Sequence, residues 1–407
     1  MNESSVAVLG AGPIGLEAAL YARACDFPVT VYEAGAVGEH VRRWRQVRLF
    51  TPWRMNTSPL GRRRLLETDT WTETPNLDVC PTGEALVSRY LEPLAALPEL
   101  APAVRPGCRI AGISRGDQLK GEAIGAPERG GPRFRLLVDG PGGERVDEAD
   151  IVLDATGVFG QANALGAGGI PAPGERDAAG RILTGLPDVA GRDLEAVRDR
   201  DVLVVGGGLS AATTICALAE APVRSVTWAT RAGSPPLAEI PGDSLPARLD
   251  LVRRANALAA DEGVRHLGEA SVREIREHAG TLRVELSVGA ETVSWEGDRI
   301  IAQTGFRPDL SITRELQVHH CWASEAPMRL AAALLGAEGG DCMTQTSHGA
   351  DSLRNPEPDF FVLGAKSYGR NSRFLLSIGR EQIRDAFRLI TGDASLDRYA
   401  GEAAHVA

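Results

Sequence analysis

Two stretches of this chain each place a glycine-rich turn between an apolar run and an Ala-rich segment, and this duplication limits the fold more than any other feature. The first starts at Ser5–Gly10 (S-V-A-V-L-G). It passes through G-A-G-P-I-G at Gly10–Gly15 and L-E-A-A-L-Y-A-R-A, and ends in P-V-T-V-Y-E at Glu33. The second starts at Asp201, with V-L-V-V at Val202–Val205 and G-G-G-L-S-A at Gly206–Ala211, and closes with S-V-T-W-A-T-R at Arg231. Apolar run, turn, helical spacing and second apolar run spell strand, turn, helix, strand. The expected class is α/β, with two βαβ units.

The spacing of each turn carries its own chemistry. Gly10 permits a sharp turn, Gly12 lets a phosphate approach backbone, and Gly15 lets helix and strand pack closely, so the helix N-terminus and its dipole face an anion. Glu33 closes the second strand, where a carboxylate accepts hydrogen bonds from ribose hydroxyls. In the second unit Gly206, Gly208 and Ala211 repeat the cradle, but the strand ends in Ala229, Thr230 and Arg231 with no acid. A guanidinium there suits a 2′-phosphate and Thr230 adds a hydroxyl, which favours NADPH over NADH. If Arg231 is only a solvated cation, that preference disappears while the nucleotide cradle stays.

Composition excludes several other classes. The 407 residues carry a formal net charge of −10, with 43% hydrophobic and 24% charged side chains, and no basic block stands apart from acids. Neither nucleic acid nor an anionic membrane is expected as partner; a small molecule is. The sequence contains neither a basic leader nor an apolar run of ~18 residues. Its six cysteines lie far apart without C-x-x-C or metal-finger spacing, which points to a reducing, cytoplasmic setting and to no metal site. Cys25 and Cys216 fall in the two helices and read as core. The His319–His320–Cys321–Trp322 run and the His348–Cys342 pair read as loops. Lys120 and Lys366 are the only lysines in an arginine-dominated chain.

Further along, a helix is expected at Thr82–Leu97 and strands near Arg109–Ser114, Arg133–Val138, Ile151–Gly157 and Asp359–Gly364. Another helix is expected at Arg373–Thr391, with a frayed tail over the last ten residues. The basic, Trp-containing stretch His40–Asn56 offers Trp44, Trp53 or Met55 to cover an aromatic ring and Arg42, Arg43, Arg45 or Arg48 to meet phosphates. About half of these arginines are expected to be solvated.

Four motifs in order carry a family resemblance: G-A-G-P-I-G with Glu33, D-A-T-G at Asp154–Gly157, G-G-G-L-S-A, and Q-T-G-F-R-P-D at Gln303–Asp309. Together the chain resembles flavoproteins with two Rossmann-like dinucleotide-binding domains, such as thioredoxin-reductase-like enzymes, bacillithiol-disulfide-reductase-like enzymes and flavin-containing monooxygenases. The resemblance implies FAD on the first unit, held by Gly10, Gly12, Pro13, Ile14, Gly15, Glu33, Arg48, Ile110, Ala155, Thr156, Gly157, Gly364, Arg373 and Phe374. It implies NADPH on the second, held by Gly208, Leu209, Ser210, Thr230, Arg231 and Gly305. The expected organisation is an FAD domain from residues 1–165 and 298–407, an inserted NADPH domain from 185–297, and a Gly/Pro-rich linker at 166–184. A homodimer is compatible with the resemblance.

The departures matter as much. The family ends its last strand in Gly-Asp, whereas here Gly364 is followed by Ala365 and Lys366. Lys366, Tyr368 and Arg370 are therefore the candidate catalytic residues near flavin or substrate. No C-x-x-C relay is present, and neither is the monooxygenase fingerprint F-x-G-x-x-x-H-x-x-x-W/Y. The expected function is hydride transfer from NADPH to FAD, followed by O2-dependent oxidation or hydroxylation of a small molecule. The alternatives are a low-molecular-weight disulfide reductase without a protein dithiol and a non-catalytic nucleotide sensor.

Overall fold

The computed structural model describes residues 3–68, 70–71, 75–261, 263–336, 343 and 346–400. The chain divides into two compact units, one of Met1–Gly160 with Arg307–Ala407 and one of Gln161–Phe306. Strands are numbered β1–β16 in chain order.

Unit 1 is built on a parallel sheet. Its strands are β1 (Val6–Leu9), β2 (Val29–Glu33), β3 (Val104–Pro106), β7 (Ile151–Asp154) and β16 (Phe360–Val362), in the order β16-β7-β1-β2-β3. β1 is fully buried, as its unbroken apolar run requires of a strand covered on both faces. It pairs in register with β2 on one side and β7 on the other. The connection between β1 and β2 is helix α1 (Pro13–Ala24), which starts with Pro at its first position, as helices favour. β4 (Arg109–Arg115), β5 (Phe134–Gly140) and β6 (Gly143–Ala149) form a separate antiparallel sheet.

Unit 2 repeats the plan. β8 (Ile182–Thr184), β9 (Asp201–Val205), β10 (Ser225–Ala229), β11 (Arg265–Leu267) and β15 (Arg299–Ala302) form a parallel sheet in the order β11-β10-β9-β15-β8. Helix α2 (Leu209–Leu218) follows β9. β12 (Ala270–His278), β13 (Thr281–Val288) and β14 (Glu291–Gly297) form an antiparallel meander. The unit's two ends are zipped together: the Asn163 N–H donates to Gly305 O at 3.0 Å, Thr304 Oγ1 donates to Asn163 O at 2.6 Å, and Ala162 bridges Phe306.

Several boundaries differ from expectation. Residues 166–184 are not a free linker. Gly166 bridges Val272, Ile275 N–H donates to Pro173 O at 2.9 Å, and β8 joins the sheet beside β15. β15 likewise belongs to unit 2, because its Ile300 and Ile301 are buried against β9. The expected Thr82–Leu97 helix is helical from Gly83 to Ala95 but widens to a π turn at Val87–Leu91. Pro93 has no N–H to give the Arg89 carbonyl four residues earlier, and the Trp71 indole N–H donates to that carbonyl at 2.6 Å instead. The last long helix, α3 (Leu376–Thr391), starts at Leu376 rather than Arg373, because Asn371 Oδ1 accepts from the Arg373 N–H at 3.0 Å and turns the chain first. The segment before residue 401 is not frayed: Tyr399 packs on Tyr21 with ring centroids 5.0 Å apart, and the Arg398 N–H donates to Tyr21 Oη at 3.0 Å. Residues 401–407 lie outside the described residues.

Candidate functional site

Both glycine turns form as corners at the carboxyl ends of their sheets. Gly10 has φ +97° and its N–H donates to Tyr32 O at 2.7 Å; Gly206 has φ +139° and its N–H donates to Ala229 O at 3.0 Å. At Gly12 and Gly208, the residues just before α1 and α2, no atom lies within 4 Å of where a Cβ would sit. Neither helix has a side-chain cap, so first-turn N–H groups face that open space. In each sheet the central strand has its sequence neighbour on one side and a later strand on the other, which is the switch point where open parallel sheets bind ligands. The residues present fit a dinucleotide pyrophosphate at both turns.

Glu33 lies beside the first corner as expected. Its Oε2 accepts from Ala11 N–H and its Oε1 from Gly35 N–H, both at 2.8 Å. Each carboxylate oxygen keeps a second lone pair for a hydroxyl. Gly15 fits because a Cβ there would overlap the Gly10 carbonyl. Ile14 packs on Gly364, whose added Cβ would meet Ile14 Cγ1 at 3.3 Å. This brings Pro13–Gly15, Ala155–Gly157 and Gly364 to one end of the unit 1 sheet.

Other expected contacts are occupied in different ways. Ile110 is buried in a core cluster with Leu9, Tyr32 and Leu136, so its side chain serves packing. Arg48 Nη1 donates to Cys80 O at 2.5 Å. Trp53 is core, and Arg42 pairs with Glu92 at 2.5 Å. Arg373 is exposed and Phe374 packs edge-on against Tyr368, centroids 5.4 Å apart.

In the second unit Thr230 is buried. Its hydroxyl bonds both Ala232 O and His266 Nε2 at 2.8 Å, so its single proton is committed and the expected gift to a 2′-phosphate is closed. Arg231 beside it is exposed and forms no ion pair with a described residue. Leu209 packs against the unit 2 core, Ser210 is half-buried in the first turn of α2, and Gly305 keeps φ +82° in the zipped ends.

The three catalytic candidates fare differently. Lys366 is buried, with Nζ 2.6 Å from Asp154 Oδ2 and 3.0 Å from Thr156 Oγ1. Tyr368 is fully buried and its hydroxyl meets no partner among the described residues; burial pushes it up to about 12. It cannot ionise near neutrality. Arg370 is exposed, and its backbone N–H donates to Ser324 O at 2.8 Å. His320 lies outside the named strands and helices, as expected of a loop; burial first, then the charge of Lys366, push its pKa down to about 4. Sequence reasoning missed Asp154 as an ion-pair partner although the D-A-T-G motif contained it. It missed Gln382, whose Oε1 accepts from Gly364 N–H at 2.9 Å, because nothing in a helical glutamine signals that contact. Cys342 lies outside the described residues.

No protein-family model matches the sequence, and no curated protein matches it. Solved structures of the same architecture include a bacillithiol disulfide reductase from Bacillus cereus, 18% identical with TM-score 0.68, covering 96% of this chain and 99% of that one. They also include an ornithine N-hydroxylase from Kutzneria sp. 744 with reduced FAD, NADP+ and L-ornithine (16%, TM-score 0.63, 96% and 99%). A third is the Lactococcus lactis thioredoxin reductase (16%, TM-score 0.61, 96% and 100%). The chain therefore has the α/β fold of the two-domain flavoprotein oxidoreductases, with two Rossmann-like units.

Proposed function

We propose that the protein is an NADPH-dependent FAD oxidoreductase acting on a small molecule, with FAD on unit 1 and NADPH on unit 2. The observation that carries this reading is the pair of open glycine corners at Gly12 and Gly208, each in front of an uncapped helix at a sheet switch point. Bound FAD would supply the chemistry of accepting a hydride from NADPH and passing two electrons onward. The chain's own part is positional: Gly12 and the first turn of α1 receive phosphate oxygens, Glu33 accepts ribose hydroxyls, and Arg231 meets a 2′-phosphate.

The onward reaction we favour consumes O2: substrate-H, O2, NADPH and a proton give substrate-OH, water and NADP+. The sequence has no C-x-x-C through which electrons would pass to a protein substrate. One observation favours a second reading, in which NADPH and a proton reduce a small disulfide to two thiols. What supports it is the fold's likeness to the bacillithiol disulfide reductase from Bacillus cereus.

The visible spectrum tests the core claim. Purified or FAD-reconstituted protein should be yellow and bleach anaerobically with NADPH, faster than with NADH. A protein that takes up no flavin overturns the reading. Anaerobic reoxidation by small disulfides, compared with reoxidation by O2, then separates the two onward reactions. Replacing Arg231 by alanine should weaken NADPH roughly 10–100-fold, the worth of a charge-assisted bond, and leave NADH unchanged. Steady-state KM values for both nucleotides measure this.

A further inference from the structure

His266 stands behind the second glycine corner. It lies on β11 in register with Trp228 of β10, and the two rings pack with centroids 5.7 Å apart. The Trp228 indole N–H donates to the carbonyl of the corner residue, Gly206, at 2.7 Å. His266 Nε2 is 2.8 Å from Thr230 Oγ1. Thr230 borders the same corner, since a Cβ added to Gly207 would lie 3.8 Å from Thr230 Cβ. One half-buried imidazole therefore backs the glycine turn through Trp228 and the end of β10 through Thr230.

Chemistry fixes the protons in this chain of bonds. A carbonyl oxygen only accepts, so the Thr230 hydroxyl, 2.8 Å from Ala232 O, donates there. Its lone pair then faces His266, and Nε2 must carry a hydrogen. Burial lowers the pKa of the ring from the ordinary histidine value, so near pH 7 it is neutral with that hydrogen on Nε2. The backbone of the turn is held separately: Thr230 N–H donates to Leu267 O at 2.9 Å, Thr230 O accepts from Ala270 N–H at 2.8 Å, and Ala232 O accepts from Glu269 N–H at 3.0 Å. What the hydroxyl adds is a local closure from Thr230 to Ala232 across Arg231, whose side chain is exposed. A partner that accepted from Thr230 instead of donating would draw the proton off Ala232 O and open that closure.

We infer that His266 is a positioning residue for nucleotide choice: by donating to Thr230 it keeps the turn closed, and the closed turn aims Arg231 at the 2′-phosphate of an adenosine nucleotide. This deepens the reading of unit 2 as an NADPH site and rests on it.

Calorimetric titration of the full chain with adenosine 2′,5′-bisphosphate and with 5′-AMP isolates the 2′-phosphate, the only group by which the two ligands differ. Wild type should prefer the bisphosphate. His266→Ala should weaken the bisphosphate roughly 3–10-fold, the worth of one neutral hydrogen bond, and shift 5′-AMP by less than about twofold. Thr230→Val removes the hydroxyl with little change of shape and should lose as much, and the double variant should lose no more than either single one. Ring-nitrogen NMR shifts should place the His266 hydrogen on Nε2. Equal losses for both ligands would make His266 a support of the sheet and overturn the inference, as would additive losses in the double variant or a hydrogen on Nδ1 alone. A preference that Arg231→Ala abolishes and His266→Ala preserves overturns the inference and leaves the NADPH reading standing. Wild type that binds both ligands equally withdraws that reading, and the inference with it.

Discussion

Replacing Glu357 by glutamine should cost unit 1 about 3–5 kcal/mol, the usual penalty for breaking a buried ion pair from one side. Glu357 is fully buried between two equally buried guanidinium groups, with Arg115 Nε at 3.0 Å and Arg129 Nη2 at 2.7 Å. Gln317 N–H adds a third bond at 2.8 Å. Arg115 sits on β4 with its guanidinium 3.6 Å over the Phe134 ring and also donates to Pro358 O, while Arg129 Nη1 donates to Leu119 O at 2.9 Å. One carboxylate therefore ties the antiparallel sheet, the Pro127–Gly130 turn and the approach to β16. Burial alone would raise its pKa, but the bonds from Arg129, Gln317 and Arg115 outweigh that and hold it below the ordinary value. The sign of the pH dependence follows: its contribution is complete above the unfolded pKa of ~4.3 and fades as pH falls through the lower folded value. Urea titrations of wild type and Glu357→Gln should differ most near pH 7 and converge in acid. A constant difference across that range would refute the assignment.

Valine at Gly12 should abolish detectable FAD binding, a loss of at least ~100-fold, while leaving the ligand-free protein close to wild type in melting temperature. Gly12 has φ −80° and ψ −174°, an extended conformation any residue adopts, and no atom waits within 4 Å of a new Cβ. The side chain would fill only the space a phosphate needs, and surface changes of this kind stay within ~0.5 kcal/mol. Gly208→Val should do the same to NADPH, since its φ is −106° and its surroundings are equally open. Gly10→Ala provides the contrast. There φ is +97° and the methyl would press on Ala155 O at 2.8 Å, so the protein itself should lose stability. Thermal melts paired with ligand titrations distinguish the three. A Gly12→Val protein that still binds FAD at wild-type affinity would mean that the cradle is not at this corner.

Local pattern made the parallel sheets legible. The unbroken apolar runs at Val6–Leu9 and Val202–Val205, bracketed by glycine and helix, have few other ways to be buried. The corner glycines and Glu33 were legible because their roles follow from backbone geometry and one lone pair. Contacts that depend on distant partners were not. Asp154 and Lys366 are 212 positions apart, and no periodicity links them. Thr230 looked available because sequence does not reveal that His266 and Ala232 O claim its hydroxyl. The resemblance put Ile110 beside FAD, whereas its side chain is buried among Leu9, Tyr32 and Leu136, distant partners that no local pattern announces. The 166–184 segment shows the same limit: its glycine and proline content describes backbone freedom, yet pairing with β15 and contact with β12 decide its place.

The zipped ends of unit 2 have a consequence for how such a chain could arise and be handled. Because Asn163 and Gly305 already touch, everything between them is a closed cassette whose entry and exit coincide. A gene segment encoding it can be spliced in or lifted out, with a few residues bridging the gap, and no strand of the host sheet has to be rerouted.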